Sequence, residues 1–249
     1  MSETTNDSVL SIKNLTVSFD GFKAVDSLDL DIATNELRVI IGPNGAGKTT
    51  VLDLICGKTK ATSGSVKFKG KEIRGMAEHK IVQAGIGRKF QNPAIYEDLS
   101  VYDNLEVSFP KGHTVFGSLT FSRTQDIDDR INTVADEIFL KDHLKATAGL
   151  LSHGQKQWLE IGMLLMQNSE LLMLDEPVAG MSARERDQTA ELLNRICKNR
   201  SILVIEHDME FVKKIAHKVT VLHLGKIIAE GNMDEVQANE RVVEVYLGH

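Results

Sequence analysis

The chain has 249 residues, enough to bury the core of one large α/β domain, or of one domain with a small appended subdomain. Its 29 Lys and Arg residues against 35 Asp and Glu residues give a formal charge of −6, so no overall positive charge favours the coating of nucleic acid. The two cysteines, Cys56 and Cys197, are isolated in apolar helical patterns without metal-binding spacing, which predicts buried free thiols in a reducing compartment.

The predicted elements follow a polar, acidic stretch, residues 1–8, which we expect to be a disordered tail rather than a signal peptide or membrane anchor. No run approaches about 18 uninterrupted apolar residues, so the sequence predicts no membrane-spanning helix and a cytoplasmic location. The runs 10–12, 15–19 and 28–32 predict short strands, separated by turn residues.

Residues 42–49 read Gly-Pro-Asn-Gly-Ala-Gly-Lys-Thr, directly after the apolar run 37–41 and before the apolar spacing of a helix. In this order of strand, Gly-rich loop and helix, successive backbone N–H groups and the helix N-terminus point at phosphate oxygens. We expect Lys48 to reach the β- and γ-phosphates of a nucleotide and the Thr49 hydroxyl to hold Mg²⁺. The predicted phosphate-binding residues are Gly42, Pro43, Asn44, Gly45, Ala46, Gly47, Lys48, Thr49 and Thr50.

The pattern of predicted elements changes from strands to helices in the middle of the chain. Residues 66–70 and 82–90 predict strands, the second ending in Arg88-Lys89-Phe90-Gln91. From about 93 to 157 strand signals thin out, and the spacing of the apolar residues in 127–139 predicts a helix. We interpret 93–157 as a helical insert, with a Gly-, Ser- and Thr-rich loop inside it.

Two short apolar runs without alternation, 171–174 and 202–205, are each followed by acidic residues, as for strands buried on both faces of a parallel sheet. Ligands bind at the C-terminal ends of such strands, where the first run delivers Asp175 and Glu176. Because neighbouring strand residues point opposite ways, Asp175 suits Mg²⁺ and Glu176 can orient or deprotonate an attacking water. A solvated turn is the alternative.

The segment Leu151-Ser152-His153-Gly154-Gln155 opens a helix that we expect to begin near Lys156. Serine is a favoured N-cap, and a hydroxyl with free N–H groups at a helix start binds anions, but alone this pattern fits an ordinary capped helix equally. Further on, 219–222 and 226–229 predict a hairpin before a terminal helix.

Together, these motifs resemble the nucleotide-binding subunit of ATP-binding cassette (ABC) transporters. The resemblance covers nearly the whole chain in the expected order, with Walker A at 42–49, Gln91, the signature at 151–155, Walker B at 171–176 and then His207. It implies an α/β fold of the P-loop NTPase (RecA-like) type, an ABC nucleotide-binding domain over 9–249 with an antiparallel β subdomain and a helical subdomain. The core with its β subdomain would comprise 9–92 and 158–249, and the helical subdomain would comprise 93–157.

The resemblance also implies roles for single residues. Glu176 would be the catalytic base, His207 would contact the γ-phosphate, and Gln91 would contact Mg²⁺ and the water and sense the membrane subunit. Phe19 would stack on adenine with Val25 nearby, although Phe19 as strand core and Phe22 as the stacking residue remain alternatives.

In that family, Ser152 and Gly154 would complete the ATP site of an opposing subunit, so that two chains sandwich two ATP molecules. The second subunit would be a paralogue or a second copy in a head-to-tail dimer. This chain departs from the family pattern twice. His153 replaces the first glycine of Leu-Ser-Gly-Gly-Gln, and the stretch 179–182 ends in Ser182 where many members have aspartate.

The stretches 17–25, 85–91 and 205–209 look like the branched-chain amino acid importer branch, and 151–163 and 245–248 are similar to the first ATPase subunit of urea importers. The resemblance therefore implies an ATP-hydrolysing subunit bound to membrane permease subunits on the inner face of the plasma membrane. We expect urea as the solute, with branched-chain or other amino acids as the alternative. A soluble ABC ATPase outside transport and a nucleotide-binding regulatory module are the competing classes.

Overall fold

In the computed structural model, which describes residues 8–89, 94–110 and 124–247, the strands form a six-stranded mixed sheet and a four-stranded antiparallel sheet. The strands are β1 (Ser8–Phe19), β2 (Phe22–Ala33), β3 (Leu37–Ile41), β4 (Ser63–Phe68), β5 (Lys71–Glu72), β6 (Ile86–Lys89), β7 (Leu171–Asp175), β8 (Ser201–Ile205), β9 (Lys218–His223) and β10 (Lys226–Gly231). The helices are α1 (Lys48–Ile55), α2 (Glu78–Ala84), α3 (Val101–Val107), α4 (Gln125–Glu137), α5 (His153–Met166), α6 (Ala183–Ile196), α7 (Met209–Ile215), α8 (Met233–Gln237) and α9 (Glu240–Leu247).

The large sheet has the order β10-β9-β3-β8-β7-β6, and only its edge strand β10 is antiparallel to its neighbour. Every residue of β3, β7 and β8 is buried. This confirms the strands predicted from the unalternating runs 171–174 and 202–205, because a strand covered on both faces has no polar side to alternate with. The C-terminal ends of β3, β7 and β8 therefore lie side by side at one edge.

The two faces of the large sheet belong to two hydrophobic clusters. Leu171 and Met173 pack with α1 and the antiparallel sheet, whereas Leu172 and Leu174 face α5 and α6 on the other side. The antiparallel sheet has the order β2-β1-β4-β5. The runs 10–12 and 15–19, predicted as separate strands, form one strand, β1, whose register shifts between Ile12 and Leu15.

Two element boundaries differ from the sequence-based expectation. Residues 82–84 end α2 instead of starting a strand, because Gly85, with φ of 111°, terminates the helix and β6 starts only at Ile86. Helix α5 begins at His153 rather than near Lys156, since Ser152 and Gln155 form a reciprocal capping box. The same helix runs on to Met166, so it crosses the boundary expected at residue 157.

Of the two free cysteines, Cys197 is buried and Cys56 is only half-buried. Burial raises the pKa of the Cys197 thiol to about 11. The expected tail lies outside the described residues except for Ser8, with which β1 begins. No helix in the described ranges is long and apolar enough to cross a membrane.

Candidate nucleotide-binding site

The Gly-rich loop joins β3 to α1, in the order that the sequence predicts. Strand β3 ends at Ile41, and α1 begins at Lys48 with Gly47 as its N-cap. Because glycine has no side chain to cap α1, the N–H groups of the first turn are available to an anion. The loop thus has the local structure of a phosphate-binding site.

Glycine is required at two loop positions. A Cβ at Gly42 would lie 2.1 Å from the Leu222 carbonyl oxygen, and a Cβ at Gly47 would lie 2.4 Å from the Ala24 carbonyl oxygen. At Gly45, by contrast, a Cβ would meet no atom within 4 Å. The loop therefore lies against the backbone of β2 and β9 on one side and is open at Gly45, which fits the close approach of phosphate groups.

Lys48 turns back over the loop. Its Nζ donates to the carbonyl oxygens of Gly42 (2.7 Å) and Pro43 (3.0 Å). Burial lowers the pKa of Lys48, while the nearby carboxylates of Glu176 and Asp175 oppose that shift. The ammonium thus lies where the loop and the acidic end of β7 come together.

Asp175, at the end of β7, is 2 % exposed. Its Oδ2 lies 3.9 Å from an Arg88 nitrogen. Burial raises the pKa of this carboxyl, and Arg88 and the nearby Thr49 hydroxyl oppose the rise. Its Oδ1 is buried and accepts no hydrogen bond from any described residue, an arrangement that is costly unless a cation or water satisfies the oxygen.

Because the buried Oδ1 of Asp175 has no hydrogen-bond donor among the described residues, Thr49 and Asp175 fit a bound Mg²⁺ ion. A hydroxyl and a carboxylate oxygen are hard ligands, and Mg²⁺ is commonly held by one or two carboxylates together with phosphate oxygens and water. No group of three or more His, Cys, Asp or Glu side chains in the described ranges could hold a metal by itself.

Glu176 and His207 follow two adjacent strands and meet at their ends. The His207 Nδ1 lies 3.5 Å from the Glu176 Oε1, and the His207 side chain is 68 % exposed. Glu176 has φ of 46°, so the chain turns sharply after β7. A carboxylate beside an accessible imidazole, next to the phosphate-binding loop, can accept a proton from water.

Sequence reasoning missed the residues that support these groups. The buried Glu206 carboxylate accepts the backbone N–H groups of His207 (2.8 Å), Asp208 (3.2 Å) and Val178 (3.4 Å), so it ties the loops after β7 and β8 together. Arg88 bridges Asp175 and Asp53 of α1. In the sequence, Glu206 only follows the apolar run 202–205 and Arg88 only precedes Lys89, so neither position signals its distant partners.

The signature segment (residues 151–155) lies against the loop that follows Glu176. The Ser152 hydroxyl donates to Glu185 Oε1 over 3.1 Å, and the His153 Nε2 lies 3.1 Å from the Ala179 carbonyl oxygen. Gly154 is packed so closely that a Cβ there would be 2.4 Å from Glu185 Oε1. Both departures from the family pattern, His153 and Ser182, are therefore part of one contact region.

The side chains that we expect near adenine differ in their exposure. Phe19 is 51 % exposed and Phe22 62 % exposed, and they pair across the β1–β2 turn, so either ring is accessible to a base. Val25 is fully buried in the core beneath β1 and β2, and its place near adenine stays a prediction. Gln91 lies outside the described residues.

A buried ion pair links β6 to α5. Lys89 is fully buried, and its Nζ lies 3.7 Å from Glu160 Oε2, while Glu160 Oε1 accepts the Ala94 N–H over 3.3 Å. Burial lowers the pKa of Lys89, and the charge of Glu160 opposes the shift. Glu160 thus holds the chain on both sides of residues 90–93.

We expect Glu160→Ala to lower the free energy of unfolding by about 3–5 kcal/mol, because it leaves a buried ammonium without this carboxylate. Urea denaturation at neutral pH measures the loss. The double variant Lys89→Met, Glu160→Ala serves as the control and should recover most of it. A loss below about 1 kcal/mol in the single variant would contradict a buried ion pair of this kind.

With this geometry established, comparison with known proteins identifies the class. Residues 25–179 match the ABC transporter family, and residues 226–249 match the branched-chain amino acid ATP-binding cassette transporter family. A solved ATP-binding cassette of an ABC transporter in its ADP conformation, MJ1267, superposes with a TM-score of 0.84 at 30 % identity over 97 % of this chain and 99 % of that one. A nucleotide-free cassette gives 0.83 at 29 % identity. The fold and site are those of an ABC nucleotide-binding domain.

Two relatives that match over nearly their whole length indicate a narrower class of ABC transporter protein. The chain is 33 % identical to the high-affinity branched-chain amino acid transport ATP-binding protein BraF of Pseudomonas aeruginosa, over 96 % of this chain and 98 % of BraF. It is 33 % identical to LivG of Escherichia coli over the same shares. The chain therefore belongs to the ABC transporter ATP-binding proteins of the branched-chain amino acid type, which are ATPases coupled to transport. These relatives support the alternative solute class and not urea.

Proposed function

We propose that this chain hydrolyses ATP to energise the import of branched-chain amino acids. The observation that carries the proposal is the convergence of Lys48, Asp175, Glu176 and His207 at one edge of the sheet, in a chain related over nearly its full length to branched-chain amino acid transport ATP-binding proteins. A second candidate solute is urea. It is favoured by residues 151–163, which resemble UrtD, the first ATP-binding subunit of urea importers.

In this proposal each group has one role. The loop N–H groups and Lys48 bind the β- and γ-phosphates, and Phe19 or Phe22 stacks on the adenine. Thr49 and Asp175 hold Mg²⁺, which when bound neutralises charge on the phosphate oxygens.

The reacting water is handled by the residues after β7 and β8. Glu176 orients it and accepts its proton, and His207 donates a hydrogen bond to the γ-phosphate. Gln91 contacts Mg²⁺ and the water in the same proposal.

The second half of each site comes from another subunit. Ser152 is exposed, and together with the N-terminus of α5 it offers a hydroxyl and N–H groups that suit a phosphate. We propose a head-to-tail dimer, with a paralogue or a second copy, in which Ser152 and Gly154 of one subunit face the ATP bound by the other.

The permease partner needs a docking surface, and a cavity of about 690 Å³ between α2, α3 and α5 provides one. Three apolar side chains that line it are exposed by 42–57 %: Val82, Tyr96 and Val107. Apolar side chains gathered around a groove favour a protein partner over water. Through this contact the chain lies on the inner face of the plasma membrane.

We expect Val107→Glu to lower the amount of permease that co-purifies with the chain by tenfold or more, because it places a charge among the exposed apolar side chains that line the cavity. Val243→Glu on α9 is the matched control, since Val243 has nearly the same exposure, 40 % against 42 %. ATP binding by the isolated chain should be unchanged in both variants. Equal losses of permease in both would contradict docking at this cavity, and recovery of ribosomes or DNA in place of permease would contradict transport.

Uptake by the reconstituted complex decides the solute. Vesicles containing the complex purified through this chain are given ATP and labelled leucine or labelled urea. ATP-dependent accumulation of leucine supports the proposal, whereas accumulation of urea alone supports the second candidate. Glu176→Gln complexes, which should accumulate neither, control for leakage.

A further inference from the structure

His153 and Ser182, the two departures from the family pattern, lie in one small region where the signature segment meets the start of α6. Ser152 caps α5, and Ser182 caps α6 in a reciprocal capping box with Glu185. Glu185 Oε2 accepts from both the Ser182 backbone N–H (2.9 Å) and the Ser182 hydroxyl (2.7 Å). Its other oxygen, Oε1, accepts the Ser152 hydroxyl. One carboxylate thus connects the two helix starts.

The hydroxyl of Ser152 has one proton, and this limits what it can bind. It already accepts the Gln155 N–H over 3.2 Å and gives its proton to Glu185 over 3.1 Å. The terminal oxygens of an ionised phosphate only accept hydrogen bonds, so Ser152 can donate to a phosphate only after it leaves Glu185. The two acceptors exclude each other.

Charge adds to this competition. The hydrogen bonds from Ser182 lower the pKa of Glu185, so its carboxyl is ionised at neutral pH. The Oε1 also lies against Gly154, at the N-terminus of α5 where a phosphate would approach. A second anion arriving there meets a negative charge that is already in place.

We propose that Glu185 is a positioning residue that holds Ser152 before the dimer closes on ATP and competes with the γ-phosphate of the opposing subunit's ATP for its hydroxyl proton. The inference rests on the proposed function, because it requires Ser152 to face that phosphate. His153 supports the arrangement, since its Nε2 reaches the Ala179 carbonyl and so keeps the loop before Ser182 against the signature segment. Closure of the dimer therefore includes the transfer of one hydrogen bond from Glu185 to ATP.

The test is an ATP titration of hydrolysis by the transporter complex purified through this chain. Glu185→Gln keeps the capping box, since glutamine serves at the same position, but removes the charge and weakens the acceptor. We expect the half-saturating ATP concentration to fall by roughly three- to tenfold, with kcat within about twofold of the wild type. An unchanged or higher half-saturating concentration would overturn the proposal.

Two further variants separate this contact from other effects. Glu191→Gln removes the same charge from an exposed position on α6 and should leave the titration unchanged; an equal shift there would assign the effect to general charge. In a Ser152→Ala background, Glu185→Gln should cause no additional shift, and a full shift would also overturn the proposal. Failure of the proposed function is distinct, since it would appear as wild-type hydrolysis that Glu176→Gln does not abolish.

Discussion

Glu176→Gln is expected to lower the rate of ATP hydrolysis by roughly a hundred- to ten-thousandfold while the chain still binds ATP. The amide has the shape of the carboxylate but cannot accept the proton of the attacking water. Lys48, Thr49 and Asp175 are untouched by the change. Phosphate release at saturating ATP measures the rate, and binding of a fluorescent ATP analogue measures retention of the nucleotide.

The matched control is Glu191→Gln, the same change at an exposed residue of α6. Its rate should equal that of the wild type, because Glu191 takes part in none of the ion pairs found among the described residues and an exposed charge contributes little. If the Glu176→Gln variant kept the native rate, the assignment of Glu176 as the base would be wrong.

Gly47→Ala is expected to lower ATP affinity by about ten- to a hundredfold. The backbone there has φ of 100°, and the new Cβ would lie 2.4 Å from the Ala24 carbonyl oxygen, so the loop must shift away from β2. Strain of this kind costs on the order of 1–3 kcal/mol, and each 1.4 kcal/mol is about a tenfold change in affinity. Titration with a nucleotide analogue measures the change.

The control variant Gly70→Ala separates the effect of backbone strain from the effect of the close contact with Ala24 that Gly47→Ala creates. Gly70 has φ of 77°, but a Cβ there would meet no atom within 4 Å. This variant should lose only about 1 kcal/mol of stability, measured by urea denaturation, and should bind ATP normally. Normal ATP affinity in the Gly47→Ala protein would show that the loop does not need its present contact with Ala24.

The sequence predicts those parts of the site that depend on a short-range pattern of residues. The loop 42–49 and the acids after 171–174 could be recognised because a strand, a turn and a helix start each leave a short-range signal. The α/β class followed from the same pattern, and the fold of an ABC nucleotide-binding domain followed from the resemblance of the ordered motifs to that family. The burial of Val25 could not be predicted, because it depends on how β1 and β2 pack onto the large sheet, which no local pattern encodes.

The supporting contacts could not be predicted, since they join residues far apart in the chain. Arg88 meets Asp175, and Ser152 meets Glu185, only after the sheet and helices have assembled. For a similar reason the sequence did not reveal that α5 begins at His153 and continues without interruption across residue 157 into the core. These contacts do not identify the solute, since in the proposed complex other subunits bind it.

The length of α5 has a mechanical consequence. Its 14 residues make a rod of about 20 Å, with Ser152 at one end and Met163, which lines the proposed permease cavity, near the other. A hydrogen bond survives a change in distance of only about 0.5 Å, so pivoting this rod by one or two degrees about its inner end is enough to break the bond from Ser152 to Glu185. A pivot of about 10° would carry Ser152 by some 3.5 Å. In the proposed complex the helix is thus a lever, by which a slight displacement at the permease cavity is magnified at Ser152.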